Sequence, residues 1–163
     1  MIRIERLGKD TPRSGFDCGD AALDDCISRY ALQQQSRQLS RCYVALSREG
    51  RLAGFYTLSA ASIAFEELPE DLGKRLPRYP LPAIRLGRFA VAKEYQGQGL
   101  GRDMLAHALR RAVEAADIVG IAFVLVDAKH EHAARFYRRL GFVPLLERPL
   151  TLVLPLATLA QAL

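Results

Sequence analysis

The sequence predicts an α/β (α+β) fold, and three observations carry that expectation. An apolar run at residues 84–92 leads into a glycine-rich loop, a helical pattern opens at Leu100, and a second apolar run follows at residues 121–126. A crossover of that length makes the two strands parallel neighbours. Residues 42–46 and 52–58 flank Arg48-Glu49-Gly50-Arg51, the spacing and turn chemistry of an antiparallel hairpin. Finally, half of the 163 residues are hydrophobic and a quarter are charged, which suits one domain with a real core.

Taken in order, residues 2–7 alternate Ile2, Ile4 and Leu7 with Arg3, Glu5 and Arg6, a first strand with one buried face. Phe16-Asp17-Cys18-Gly19-Asp20 reads as a turn with Asp20 placed to cap a helix. Leu23, Cys26, Ile27, Tyr30 and Ala31 keep helical spacing, so a helix is expected over residues 21–34. Its polar, basic far end, Gln33 to Gln38, is expected to be exposed or mobile. Beyond the hairpin, Pro77, Pro80 and Pro82 bar regular helix or central strand from residues 69–82. A loop that long is usually functional, and its basic residues favour a binding role.

The helix from Leu100 sets Met104, Leu105, Ala108, Leu109, Ala112 and Val113 on one face with Leu100, and turns Arg102, His107, Arg110 and Arg111 largely away. Residues 121–126 are apolar without alternation, as in a strand buried on both faces. A second helical pattern at residues 131–140 closes at Gly141, placed as a C-cap. A last strand is expected at residues 150–156, then a short helical tail to Leu163.

Composition narrows the class. No apolar run is long enough to span a bilayer, and the N-terminal residues lack a signal-peptide core, so the expected location is cytoplasmic. Cys18, Cys26 and Cys42 are odd in number without C-x-x-C spacing, which predicts buried thiols rather than a disulfide framework or a zinc site. The net charge is +5, and it is segregated. Residues 26–48 and 74–93 carry ten Arg and Lys between them and no acid, counted as Arg29, Arg37, Arg41 and Arg48, then Lys74, Arg75, Arg78, Arg85, Arg88 and Lys93. Such blocks suit a polyanionic partner; a solvated basic face is the alternative.

The loop itself reads Gln96-Gly97-Gln98-Gly99-Leu100-Gly101-Arg102. Alternate glycines let the backbone approach a ligand and turn several N–H groups into one concavity, beside a helix N-terminus carrying about half a positive charge. Such a nest suits phosphate. A dinucleotide fingerprint fails because Arg102 stands where its third glycine belongs, and a Walker A loop fails because no Lys-Ser/Thr follows Gly101. Read alone, the loop is as readily an ordinary strand-to-helix turn.

What remains, Q-x-x-G-x-G, resembles the acetyl-CoA pyrophosphate loop of the GNAT N-acetyltransferase superfamily. The run from Asp127 to Phe142 looks like the second GNAT signature, N-x-x-A-x-x-F/L-Y-x-x-x-G-F, with His130 where many members have Asn. Five further stretches are similar to the aminoacyl-tRNA-acetylating toxins of type II toxin–antitoxin modules: Phe16-Asp17-Cys18-Gly19, Gly54-Phe55-Tyr56-Thr57-Leu58-Ser59, Tyr79-Pro80-Leu81-Pro82, Leu86-Gly87-Arg88-Phe89-Ala90-Val91 and Val126-Asp127-Ala128-Lys129. The resemblance implies a single GNAT domain over residues 1–163: a mixed, mostly antiparallel sheet with a parallel pair at the cofactor site and about four flanking helices. It also implies acetyl-CoA as donor without a metal, aminoacyl-tRNA as acceptor, a ribbon-helix-helix antitoxin and a homodimer. Alternatives are a GNAT enzyme for a small-molecule or protein amine, and a catalytically silent acetyl-CoA-binding module.

By the same resemblance, Phe89, Ala90 and Val91 hold the pantetheine arm and polarise the thioester. Gln96, Gly97, Gln98, Gly99, Leu100, Gly101 and Arg102 cradle the pyrophosphate, Phe136 joins the cofactor site, and Tyr137 gives the departing thiolate its proton. A phenol near its ordinary pKa of about 10 stays protonated at neutral pH yet lies close to a thiol's value. Pattern alone would make Tyr137 an amphipathic core residue beside Phe136. No carboxylate stands between Lys74 and Lys93 to act as base. An α-amine, at about 7.7–8, is already partly neutral where a lysine side chain, at about 10.4, is not, so the missing base fits an aminoacyl ester. Arg37, Arg75, Arg78, Arg85 and Arg88 are the candidate nucleic-acid contacts. His130 and His132, two apart at a helix start, point to different faces and suit capping or solvation better than metal; His107 is expected on the polar side of its helix.

Overall fold

A computed structural model describes residues 2–162, the side chains after Leu159 excepted, so the end of the expected tail at Leu163 lies outside the described residues. The strands are β1 (Arg3–Arg6), β2 (Arg41–Leu46), β3 (Leu52–Ile63), β4 (Leu81–Val91), β5 (Phe123–Asp127), β6 (Val143–Leu145) and β7 (Arg148–Pro155). They form one sheet in the order β1-β2-β3-β4-β5-β7-β6. β4 and β5 run parallel, while β1–β2, β2–β3, β5–β7 and β6–β7 pair antiparallel. The helices are α1 (Ala21–Asp25), α2 (Ala31–Ser36), α3 (Glu70–Gly73), α4 (Leu100–Ala116), α5 (Glu131–Arg139) and α6 (Leu156–Ala162). The mixed sheet with a parallel pair is the one expected. Contacts divide the chain into two compact units, residues 1–59 with 87–108 and residues 60–86 with 109–163.

In the first unit Asp20 caps α1, its carboxylate accepting from the N–H groups of Ala22 and Leu23. The expected helix does not stay α-helical: between α1 and α2 it passes through a π-helical turn, Cys26–Tyr30. Cys26, Ile27 and Ala31 pack against Cys42, Val44, Leu46, Phe55 and Ala90 in a core that excludes water. The three cysteines are free, with Cys26 and Cys42 buried. Burial raises the thiol pKa of all three, that of Cys18 to about 11. Gly54 explains how closely α4 lies on β3. A Cβ there would stand 2.7 Å from Met104 Sδ and 2.9 Å from the Ala90 carbonyl, so the strand admits only glycine.

The polar end of α2 is not simply exposed, because Gln35 bridges β2 and the residue that follows β1. Its Nε2 donates to the Leu7 carbonyl at 2.8 Å and its Oε1 accepts from Cys42 N–H at 2.9 Å. Gln33, Gln34, Ser36, Arg37 and Gln38 do face solvent.

In the second unit, Ala83–Leu86 of β4 pair with Phe123–Val126 of β5. Ile63, Leu68, Leu81, Ala83, Phe123, Leu125, Leu145 and Val153 form its core. The connection 69–82 is more regular than its prolines suggested. Pro69 sits at the N-cap of α3, where a missing N–H costs nothing, and β4 already includes Pro82, whose carbonyl accepts from Ala122 N–H at 2.9 Å. β3 runs to Ile63, past the expected end at residue 58, and β6 was not anticipated. Gly141 ends α5 at φ 101°, its N–H on the Arg138 carbonyl, as a C-cap glycine should.

Candidate active site

Within the first unit, the end of β4 and the start of α4 hold the glycine loop and the residues expected to bind the donor. Ala90 is buried, and Phe89 and Val91 are half-buried. A short 3₁₀ turn, Lys93–Tyr95, leads into the glycine loop. Gly97 and Gly99 take φ values of 76° and 88°, and a Cβ on either would meet nothing within 4 Å. Backbone conformation, not crowding, is therefore what demands glycine there. Leu100 is buried and anchors the first turn of the 17-residue α4, so the loop's amides lie at the positive end of a long helix. A Cβ on Gly101 would lie 3.8 Å from Phe89 and 4.0 Å from Val91, which places the helix start against the strand end. Arg102 is exposed beside it. Backbone N–H groups, a helix terminus and one guanidinium fit a pyrophosphate.

The Gln96 side chain is already engaged within the protein. Its carboxamide Nε2 donates to the Val91 carbonyl at 2.8 Å and to the Cys18 carbonyl at 3.1 Å, so its side chain serves protein carbonyls. Gln98 likewise donates to the Glu94 carbonyl at 3.0 Å.

The second unit presents Tyr137 on α5. His130 caps that helix, Nδ1 accepting from Ala133 N–H at 3.2 Å, the capping role its position suggested. Tyr137 is 6% exposed, its ring edge-on to Phe136 at 5.3 Å and to Phe142 at 5.5 Å. Burial pushes its phenol well above the ordinary value, because the phenolate would be poorly solvated. The expected match to a thiol's pKa therefore does not hold. The phenol stays protonated throughout the neutral range.

Of the arginines, Arg37, Arg75, Arg78 and Arg88 are exposed, and the Arg78 guanidinium lies 5.7 Å from the centre of the Phe65 ring. Arg85 is half-buried and ion-paired with Asp127, whose other oxygen accepts from Thr151 Oγ1 at 2.9 Å. Its charge is thus already partnered. Arg88 N–H donates to Thr57 Oγ1 at 2.9 Å, and its side chain faces Cys26.

The structure also adds a buried polar cluster. Tyr56 is fully buried, its hydroxyl 2.6 Å from His107 Nδ1 on α4, with Tyr43 stacked on it at 5.1 Å. His107 is half-buried, not on the polar side. Tyr43 and Tyr56 stand directly opposite in the hairpin register, which was the available signal; helical phase alone put His107 on the wrong side.

Residues 38–144 match the acetyltransferase (GNAT) domain. A tRNA-acetylating toxin of Mycobacterium tuberculosis (strain ATCC 25618 / H37Rv) is 39% identical over 129 residues, 79% of this chain and 76% of that protein. The structure of AtaT complexed with acetyl-methionyl-tRNAfMet superposes with a TM-score of 0.92 at 31% identity, over 99% of each chain. A mutant AtaT toxin bound to the C-terminus of the antitoxin AtaR and acetyl-CoA gives 0.83 at 29% identity, over 99% of this chain and 97% of that one.

Proposed function

The chain belongs to the GNAT acetyltransferase family, and from that premise we propose that it acetylates the α-amino group of aminoacyl-tRNA with acetyl-CoA, blocks translation, and is neutralised by a cognate antitoxin. The likeness over the full length of both chains to AtaT complexed with acetyl-methionyl-tRNAfMet carries this reading.

The neutral α-amine attacks the thioester carbonyl; a C–N bond forms, the C–S bond breaks, and the ammonium proton leaves to water. Residues Gln96 to Arg102 take the pyrophosphate on backbone N–H groups, and Phe89, Ala90 and Val91, with Phe136, line the acyl arm. Tyr137 gives its proton to the departing thiolate and regains one from solvent. Its raised pKa keeps that proton available throughout the working range. Arg37, Arg75, Arg78, Arg85 and Arg88 are assigned to tRNA phosphates, with Arg75 and Arg78 as the exposed pair on one loop.

Residues 1–163 act as one GNAT domain in this reading, as a homodimer in the cytoplasm with a ribbon-helix-helix antitoxin. No helix among the described residues is long and apolar enough to cross a membrane. A cell-free translation reaction tests the proposal: synthesis should stop only when acetyl-CoA is present, and freshly charged tRNA added after the enzyme is removed should restore it. Arrest without acetyl-CoA would contradict it.

A further inference from the structure

We infer that the turn Phe16-Asp17-Cys18-Gly19 is a positioning element of the donor site, acting on the glycine loop through Gln96 as a clasp. This rests on reading that loop as the acetyl-CoA phosphate site.

The clasp is a carboxamide with two N–H groups. One holds the Val91 carbonyl, at the strand end that enters the loop. The other holds the Cys18 carbonyl, 78 residues away in sequence. A second stitch runs alongside: Lys93 N–H donates to the Asp17 carbonyl at 2.8 Å, and Lys93 Nζ stands 3.5 Å from the Asp17 carboxylate.

The turn is itself rigid. Asp17 Oδ1 accepts from Gly19 N–H at 3.0 Å, and Asp24 Oδ1 accepts from Cys18 N–H at 2.9 Å. Gly19 holds φ at 95°, and a Cβ there would reach 3.4 Å from Lys93 Cε. Asp20, next in sequence, caps α1. The turn is thus fixed to α1 on one side and to the loop on the other.

The loop needs that support. Gln96, Gly97, Gln98 and Gly99 are all exposed, and two of them are positive-φ glycines, the residues with most conformational freedom to lose. Fixing Gln96 before the ligand arrives aims the following N–H groups in advance and lowers the ordering cost of binding. The Gln96 side chain is therefore a positioning group, and the phosphates fall to the loop's backbone N–H groups.

The experiment compares the full chain with Gln96→Ala and Gln96→Glu, after circular dichroism confirms that both fold. Titration calorimetry with acetyl-CoA should show each variant binding about tenfold more weakly at neutral pH, roughly the effect of one lost hydrogen bond. In the Gln96→Glu variant, lowering the pH to 5 protonates part of the introduced carboxyl and returns one donor. Relative to the unmodified chain at the same pH, Gln96→Glu should then regain affinity and Gln96→Ala should not. Hydrogen exchange without ligand should be faster at the Gly97 and Gly99 amides in both variants. Unchanged exchange together with acetyl-CoA affinity within twofold overturns the inference. Failure of the unmodified chain to bind acetyl-CoA overturns the donor reading instead, and the exchange result still decides the clasp.

Discussion

The Tyr56 hydroxyl lies 2.6 Å from His107 Nδ1, joining the middle of β3 to the second turn of α4. It is a polar contact beneath a layer of rings, with Tyr43 stacked on Tyr56 and edge-on to His107 at 5.4 Å. The helix it holds is the one whose N-terminus forms the proposed phosphate nest, so the contact helps fix the angle at which those amides are presented. Tyr56→Phe keeps the ring and removes the hydroxyl, taking from a half-buried imidazole nitrogen this partner. Stability should fall by about 1–3 kcal/mol in urea denaturation; a change near zero would mean that ring packing alone holds the helix.

Tyr137→Phe should leave the fold and the acetyl-CoA KM nearly unchanged and lower kcat by about 10²–10⁴, the range for losing a positioned acid. The pH profile carries a second signature. The rate should rise as the acceptor's α-ammonium loses its proton, at or below about 7.7–8. Because burial raises the Tyr137 pKa, no descending limb from this residue should appear before about pH 10. A fall in kcat at pH 8–9 that disappears in Tyr137→Phe would show a phenol that titrates too early for this account.

Glu67 and Arg148 give a separate pH test, of stability. Arg148 Nη1 donates to Glu67 Oε2 at 2.6 Å and, with the Ala64 N–H, holds the Glu67 carboxyl below its ordinary range. The folded pKa is lower than the unfolded one. The pair therefore stabilises above about pH 4.3 and loses its effect as pH falls through the depressed value. Arg148→Ala should lower Tm at pH 7 and converge with the unmodified protein near pH 2; an equal difference at both pH values would assign the loss to packing.

Arg75 and Arg78 are exposed on the connection between α3 and β4. Changing both to Glu should weaken tRNA binding and flatten its dependence on salt, while acetyl-CoA affinity stays within twofold. An unchanged salt slope would place the tRNA face elsewhere. Arg85→Glu is a poorer probe, because it also breaks the ion pair with Asp127.

Much of this arrangement was legible in the residues because local chemistry decided it. The hairpin, the Asp20 cap, the positive-φ glycines 97 and 99 and the closing Gly141 each follow from what a turn or helix end requires. Contacts distant in sequence were not legible. Nothing near Gln35 indicates that its amide will bridge Leu7 and Cys42, and nothing near Gln96 indicates Cys18. Pro82 misled because its effect depends on which backbone groups a strand needs, and there only the carbonyl is used. Small residues hid the end of β3, since Ser59, Ala60, Ala61 and Ser62 carry little hydrophobic signal although the strand continues through them. The motif singled out Tyr137 as a candidate, but its depth of burial, and with it the direction of its pKa, required the packed rings of Phe136 and Phe142.

The central claim is the chemical identity of the acceptor, and one labelling reaction tests it directly. The protein is incubated with acetyl-CoA carrying a labelled acetyl group and with tRNA that is either aminoacylated or bare, and mild alkali then releases the ester-linked amino acid. Label on charged tRNA alone, recovered after alkali as N-acetyl amino acid, is the predicted result; label on bare tRNA, or none on either, would contradict it.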